Sequence, residues 1–262
     1  MLNFCSLYSG SSGNCLFVES ENTKLLIDAG VSLKKIEKGL EEISIPSSSL
    51  DGILVTHEHI DHIQSLGNLS KKFNLPVFAN SETFDTMPKQ TGKISEENIN
   101  KIKINKKFCI NDIEINSFSI PHDAANPCGF TLTCGNDKIS IATDIGHMTT
   151  DIVKNLEGSK FILIESNYDL EVLKYSKYPF KLKQRIAGPE GHLQNEDAGK
   201  VINYLIHDNL QSAMLGHLSK ETNFPELAYQ TVADEIISAG TDISKIKLSV
   251  ASRDNVGNMI HI

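Results

Sequence analysis

The sequence predicts an α/β protein, a layered sandwich with sheets inside and helices outside. Three observations predict it. Short apolar runs bounded by turn residues alternate with helical patterns. That rhythm occurs twice, once in each half of the chain. No repeat, long linker or shift in composition interrupts the 262 residues, so one domain over 1–262 is expected. Apolar residues make up 40% and charged residues 22%, ordinary values for a globular chain long enough to bury a core without staples.

The elements follow in order. Residues 4–8, 15–19 and 24–28 read as strands, the first two joined by a tight SGSSGN turn at 9–14. Ser32 caps a helix running to about Ile43, with Leu33, Ile36 and Leu40 on its apolar stripe. GILVT at 52–56 is a buried strand that runs into a histidine-rich loop. A helix follows to about Phe73, then a strand at 76–79. From 101 to 143 the pattern is mostly β: KIKI, FCINDIEINSFSI, GFTLTC and KISIAT. A helix from Thr150 and a strand at 161–166 (FILIES) resume the α/β rhythm. Helices at 195–207 and 225–240 and strands at 212–216 and 247–250 complete it.

Composition excludes several classes. A net charge of −8 argues against indiscriminate nucleic-acid binding, though it leaves room for a local basic groove. The cysteines, Cys5, Cys15, Cys109, Cys128 and Cys134, are odd in number and form no CxxC pair. Neither a disulfide framework nor a cysteine-rich zinc module is expected, and a reducing cytoplasm fits. No apolar run approaches the ~20 residues of a membrane span, and no basic n-region suggests a signal peptide, so no membrane partner is expected. SGSSGN could cradle an anion with its backbone amides, but it has neither the lysine of a P-loop nor GxGxxG spacing. No nucleotide cofactor is expected.

The chemistry concentrates at His57-Glu58-His59-Ile60-Asp61-His62. In an extended loop His57 and His59 project to one side, while Asp61 and His62 open the following helix toward the same pocket. HExxH zinc-protease spacing is excluded, because Asp61 stands where its second histidine would be. Further candidates end predicted strands: His122, Asp144 and His217. Singly, each is more often a turn or cap residue. Together they offer imidazoles suited to Zn, Mn or Fe and a carboxylate able to bridge two cations.

LLIDAG at 25–30, HEHIDH at 57–62, PHDAANPCGF around His122, TDIG at Asp144 and GHLS at His217 resemble the successive motifs of the metallo-β-lactamase superfamily. The resemblance spans essentially the whole chain. It implies a four-layer αβ/βα sandwich with a dinuclear metal site at one edge. Matched residue by residue, it implies that His57, His59 and His122 hold one ion. Asp61, His62 and His217 would hold the other, with Asp144 between them and Asp28 orienting the histidine loop from behind. The implied cofactors are two divalent ions, Zn or Mn, with Fe also accommodated.

GHLQNEDAG resembles the motif of tRNase Z and PhnP-like phosphodiesterases, in which the histidine assists the leaving oxygen. This assigns His192 as an acid beside Asp61, which would orient or deprotonate the nucleophile. The short span from Asp144 to His217 leaves no room for a large inserted domain. SGSSGN, the run from Glu165 to Ile186, GHLSKETN and ASRDN are most similar to the YycJ/WalJ subgroup of bacterial nucleases. That resemblance implies a 5′-to-3′ exonuclease on duplex DNA linked to repair, with DNA ahead of RNA as partner. Tyr168 and Gln194 depart from the subgroup's usual His and Ser. The same motifs offer Asn14, Asn167 and Arg253 as substrate contacts.

Apart from any family, residues 170–187 carry Lys174, Lys177, Lys181, Lys183 and Arg185 against Glu171, with Tyr175, Tyr178 and Phe180 interleaved. Cations meet phosphates and aromatic faces stack on bases, whereas the blander reading is a solvated helix with its aromatics in the core. The basic run 89–107 reads as a surface loop and His207 and His261 as structural or exposed residues, while His147, three residues after Asp144, offers a weak candidate for a group behind the metal site. Two enzyme readings compete. One is a dinuclear nuclease or phosphodiesterase in which hydroxide attacks phosphorus. The alternative is a hydrolase of a small phosphodiester, thioester or lactone, without a basic groove. A non-catalytic metal module is weaker, since diiron relatives carry a carboxylate at the position of His62.

Overall fold

The computed structural model describes residues 1–206 and 210–262. In chain order the strands are β1 (Asn3–Tyr8), β2 (Cys15–Glu19), β3 (Lys24–Ile27), β4 (Gly52–Leu54), β5 (Val77–Asn80), β6 (Ile99–Ile102), β7 (Phe108–Ile110), β8 (Ile113–Ser119), β9 (Cys128–Cys134), β10 (Asp137–Ala142), β11 (Phe161–Glu165), β12 (Ser212–Gly216), β13 (Lys247–Val250) and β14 (Ile260–His261). The helices are α1 (Leu33–Glu42), α2 (Ile60–Ile63), α3 (Leu66–Phe73), α4 (Ser81–Thr86), α5 (Thr150–Leu156), α6 (Leu170–Tyr175), α7 (Phe180–Ile186), α8 (Asn195–Ile206) and α9 (Pro225–Ser238).

The strands form two seven-stranded sheets, ordered β14-β1-β2-β3-β4-β5-β6 and β13-β12-β11-β10-β9-β8-β7. Each sheet joins an antiparallel half to a parallel half, the change falling at β3 in one and β10 in the other. Alternation along β3 shows why Leu25, Leu26 and Ile27 are all apolar. Leu25 and Ile27 face the other sheet, while Leu26 faces α1 and α3 beside Ile36, Leu40, Leu66 and Leu69. Between the sheets, the Phe4 and Phe161 rings lie 4.5 Å apart. On the far side, Ile162, Ile164 and Leu215 pack against Ile152 of α5, Ile202 of α8 and Val232 and Ile236 of α9. The layers are therefore helix, sheet, sheet, helix, with no large insertion.

Three departures from the expected elements have local causes. The helix after the histidine loop is two helices, because Ala29 N–H donates to the His62 carbonyl and Ser65 N–H to Ala29, stitching the chain to the end of β3. The 170–187 segment is likewise two short helices, α6 capped by Asp169 and α7 starting after Pro179. The basic 89–107 run includes β6, an edge strand facing solvent with Lys101 and Lys103, where lysines discourage further strand pairing. His207, expected late in a helix, lies outside the described residues. Among the described residues, no helix is long and apolar enough to cross a membrane.

Candidate active site

Asp28, His57, Asp144 and His217 follow the carboxyl ends of β3, β4, β10 and β12, and Glu165 ends β11. Parallel strands bring their ends to one edge of a sheet, so residues far apart in sequence meet there. Backbone shape helps aim them: Asp28, Asp144 and His217 have φ of 63°, 60° and 54°, the left-handed region. Gly30 lets the histidine loop close down, since a Cβ there would lie 1.6 Å from the Asp61 carbonyl oxygen.

The side chains meet in overlapping groups. His57, His59 and His122 converge, as do Asp61, His62 and His217. Asp144 reaches both groups: its Oδ2 is 3.2 Å from His62 Nε2, and its Oδ1 is 3.7 Å from His122 Nε2 and 3.5 Å from His217 Nδ1. Asp61 Oδ2 lies 3.4 Å from His217 Nε2. His57 Nε2 is buried without a hydrogen-bond partner, and equally buried Asp144 Oδ2 has only the ion-pair approach of His62 Nε2. Orphaned polar atoms in a buried site are costly unless a ligand satisfies them, and an imidazole–carboxylate set of this kind suits a divalent metal. The donor set thus fits the ions that the fold implies.

Groups behind the ligands fix their orientation. Asp28 accepts from Thr56 N–H and Oγ1–H, both at 2.9 Å, and from His62 Nδ1 at 2.7 Å. This turns His62 Nε2 toward the site. Gly191 carbonyl accepts from His122 Nδ1 at 2.9 Å. Glu165 takes His192 Nδ1 and His217 Nδ1 on one oxygen, each at 2.8 Å, and Ile145 N–H and Leu193 N–H on the other.

Burial holds His57 well below the usual imidazole value and lowers His122 as well, favouring the neutral form that coordinates metal. Burial also disfavours a charge on His62 and His217, but the neighbouring carboxylates, Asp144 foremost, outweigh it. His62 is raised, and His217 is pushed up to about 10. Burial opposes ionised Glu165, yet His192 and His217 draw it down to about 2. Bound cations would replace the protons on His62 and His217 as counterweight to these carboxylates.

His192 sits beside this set, its ring centroid 5.2 Å from His122 and 5.4 Å from His217. The residues expected to contact substrate scatter more widely. Asn14 is buried, its Nδ2 3.1 Å from His62 Nε2 and its Oδ1 accepting from Gly10 N–H. Asn167 is buried and donates to the His217 carbonyl at 2.8 Å. Both lie beneath the site rather than in an open groove. Arg253 donates to the Leu218 carbonyl. Lys183 donates to the carbonyls of Lys174 and Ser176, and Arg185 makes a two-point ion pair with Asp123; only Lys181 leaves its ammonium in solvent. The amides of Gly10, Gly13 and Asn14 are taken by Asn14 Oδ1, the Gly10 carbonyl and the Asp61 carbonyl, so these three brace the turn and the histidine loop. His147 is exposed and bonded to the Pro189 carbonyl, away from the ligands.

Sequence reasoning missed Glu165, Thr56 and the Asp123–Arg185 pair. Glu165 had a readable signal: a lone carboxylate ending the apolar strand FILIE, where burial demands partners.

The family model for the beta-lactamase superfamily domain matches residues 23–217. The chain belongs to that superfamily. Exodeoxyribonuclease YycJ of Bacillus anthracis is 36% identical over 93% of this chain and 92% of its own length. Exodeoxyribonuclease WalJ of Streptococcus pneumoniae is 37% identical over 89% of this chain and 87% of its own. Zn²⁺-bound PqqB from Methylobacterium extorquens shares the fold, with a TM-score of 0.71 at 14% identity over 99% and 100% of the two chains. Within this superfamily the chain is a metal-dependent hydrolase, and its His/Asp clusters offer donor groups that suit a divalent metal.

Proposed function

We propose that residues 1–262 act as one metallo-β-lactamase-like unit, a cytoplasmic DNA nuclease that degrades duplex DNA from the 5′ end in repair. The observation that carries this reading is the convergence of nine metal-competent side chains, seven of them the proposed ligands, around unpartnered His57 Nε2 in a chain 36–37% identical to named exodeoxyribonucleases. His57, His59 and His122 would hold one ion and Asp61, His62 and His217 a second, with Asp144 shared. Zn or Mn suits these donors, and Fe is also accommodated. Bound there, the ions supply Lewis-acid polarisation of a phosphodiester and acidify water.

The chain's own residues do the rest. Asp61 has the more open carboxylate, its side chain 24% exposed against 4% for Asp144, and can take the proton of an attacking water. His192 Nδ1 is held by Glu165, leaving Nε2 to protonate the departing sugar oxygen. Glu165 accepts from both His192 Nδ1 and His217 Nδ1, fixing the orientation of the two rings.

The test is degradation of 5′- and 3′-end-labelled duplex DNA, single-stranded DNA and RNA with Zn²⁺, Mn²⁺ or Mg²⁺. Early release of the 5′ label from duplex and a shortening ladder from the 3′ label are expected. Cutting of covalently closed circles would show an endonuclease. Turnover confined to small phosphodiesters, thioesters or lactones would favour the smaller-substrate hydrolase.

A further inference from the structure

Helices α6 and α7 face each other across an open groove of about 510 Å³. Leu170, Leu173 and Lys174 line it from α6, at positions one turn apart. Phe180 and Lys183 line it from α7 with the same spacing, and Tyr178 closes one end. Leu173, which lines it, also belongs to the small buried cluster with Tyr168 and Ile186 that anchors both helices. Its walls are open: Leu170 is 45% and Phe180 73% exposed, and Tyr175 on the rim is 76% exposed with the Lys174 ammonium 5.1 Å above its ring. Exposed aromatics this large are uncommon unless something covers them. Lys183 ties the helices together through the carbonyls of Lys174 and Ser176, so the groove is already formed.

Charge and position select the occupant. The rim carries exposed Lys174, Lys177 and Lys181 in a chain whose net charge is −8. Arg185 of α7 pairs with Asp123, the neighbour of His122, so the groove flanks the hydrolytic site. A partner must therefore present negative charges outside and flat apolar faces inside. Unpaired DNA presents both, since stacking on an aromatic ring tolerates any base.

We propose that the α6–α7 groove is a nucleobase site, in which Phe180 stacks on unpaired bases of the DNA strand that enters the active site while Lys174, Lys177 and Lys181 meet its phosphates. This rests on the nuclease reading and adds that bases, not phosphates alone, are gripped beside the cut.

The test is binding of the metal-loaded full chain to a phosphorothioate oligothymidylate, which keeps its charge and resists cleavage, and to an abasic oligomer of the same length. The wild type should bind the base-bearing strand more tightly. Phe180→Ala should weaken that strand by about 5- to 100-fold, the range of one base–aromatic stack, and leave abasic binding unchanged. Phe180→Trp should restore the preference for bases. Equal affinity of the wild type for both strands, or an equal loss on both in Phe180→Ala, would overturn the proposal. So would Phe180→Leu binding like the wild type: apolar bulk alone would then suffice, as for an acidic amphipathic peptide. Circular dichroism of each variant separates lost stacking from lost fold. If the wild type degrades duplex DNA yet ignores bases, only the groove assignment fails. If it neither binds nor cuts DNA, the nuclease reading fails with it.

Discussion

Around His57 nearly every polar atom is fixed from behind. Asp28 grips Thr56 and His62, Glu165 grips His192 and His217, and the Gly191 carbonyl grips His122, the two carboxylates standing at the ends of buried strands. Around Phe180, on the helix that also carries Arg185, two short helices rest on a three-residue apolar cluster and leave Tyr175 and Phe180 in solvent. Bond-breaking chemistry requires donors held in fixed relation, and the strand ends supply that. A polymer that must move through after each cut is better held by a shallow, sequence-tolerant surface. The two regions divide these tasks.

Asp144→Ala should break the rigid side most severely. It removes the carboxylate that reaches both ligand groups, so bound metal should fall at both positions and turnover should drop to background. Elemental analysis finding one tight ion in the wild type, unaltered in the variant, would contradict a dinuclear site. His192→Ala should reduce DNA turnover by about 10²–10⁴-fold with metal content intact, because its removal leaves every proposed ligand in place. The deficit should shrink for a p-nitrophenyl ester, whose leaving group needs little protonation; loss of metal instead would make His192 a ligand. Asp28→Asn should weaken metal affinity by about 10–100-fold, the usual penalty for disturbing a residue that orients a ligand, as titration with a competing chelator would measure. The smallest effect belongs to the flank. Lys181→Ala should lower the salt slope of DNA binding by about one, whereas an unchanged slope would place Lys181 off the path of the strand.

Much of this arrangement was legible in the sequence because strand-end chemistry leaves local marks. HEHIDH crowds its ligands into one loop, and His122, Asp144 and His217 each follow an apolar run. What was not legible depended on contacts across the chain. Nothing near Lys183 shows that it reaches back to the carbonyl of Lys174, and nothing near Arg185 points to Asp123. The positive charges of the 170–187 segment therefore read as equivalent, although the fold engages Lys183 and Arg185 at distant partners and Lys174 with Glu171 and the Tyr175 ring. The single helix expected up to Phe73 failed for the same reason: periodicity could not show that Ser65 would bond to Ala29.

Left-handed backbone at Asp28, Asp144 and His217 carries a consequence for how this protein can change. Such conformations cost roughly 1–2 kcal/mol for residues with a Cβ. Glycine or asparagine would relieve much of that strain at Asp144 or His217 while deleting a proposed metal ligand. Selection for heat resistance alone, with catalysis unmonitored, should enrich those replacements, so thermal endurance and hydrolytic power pull against each other at the same few strand ends.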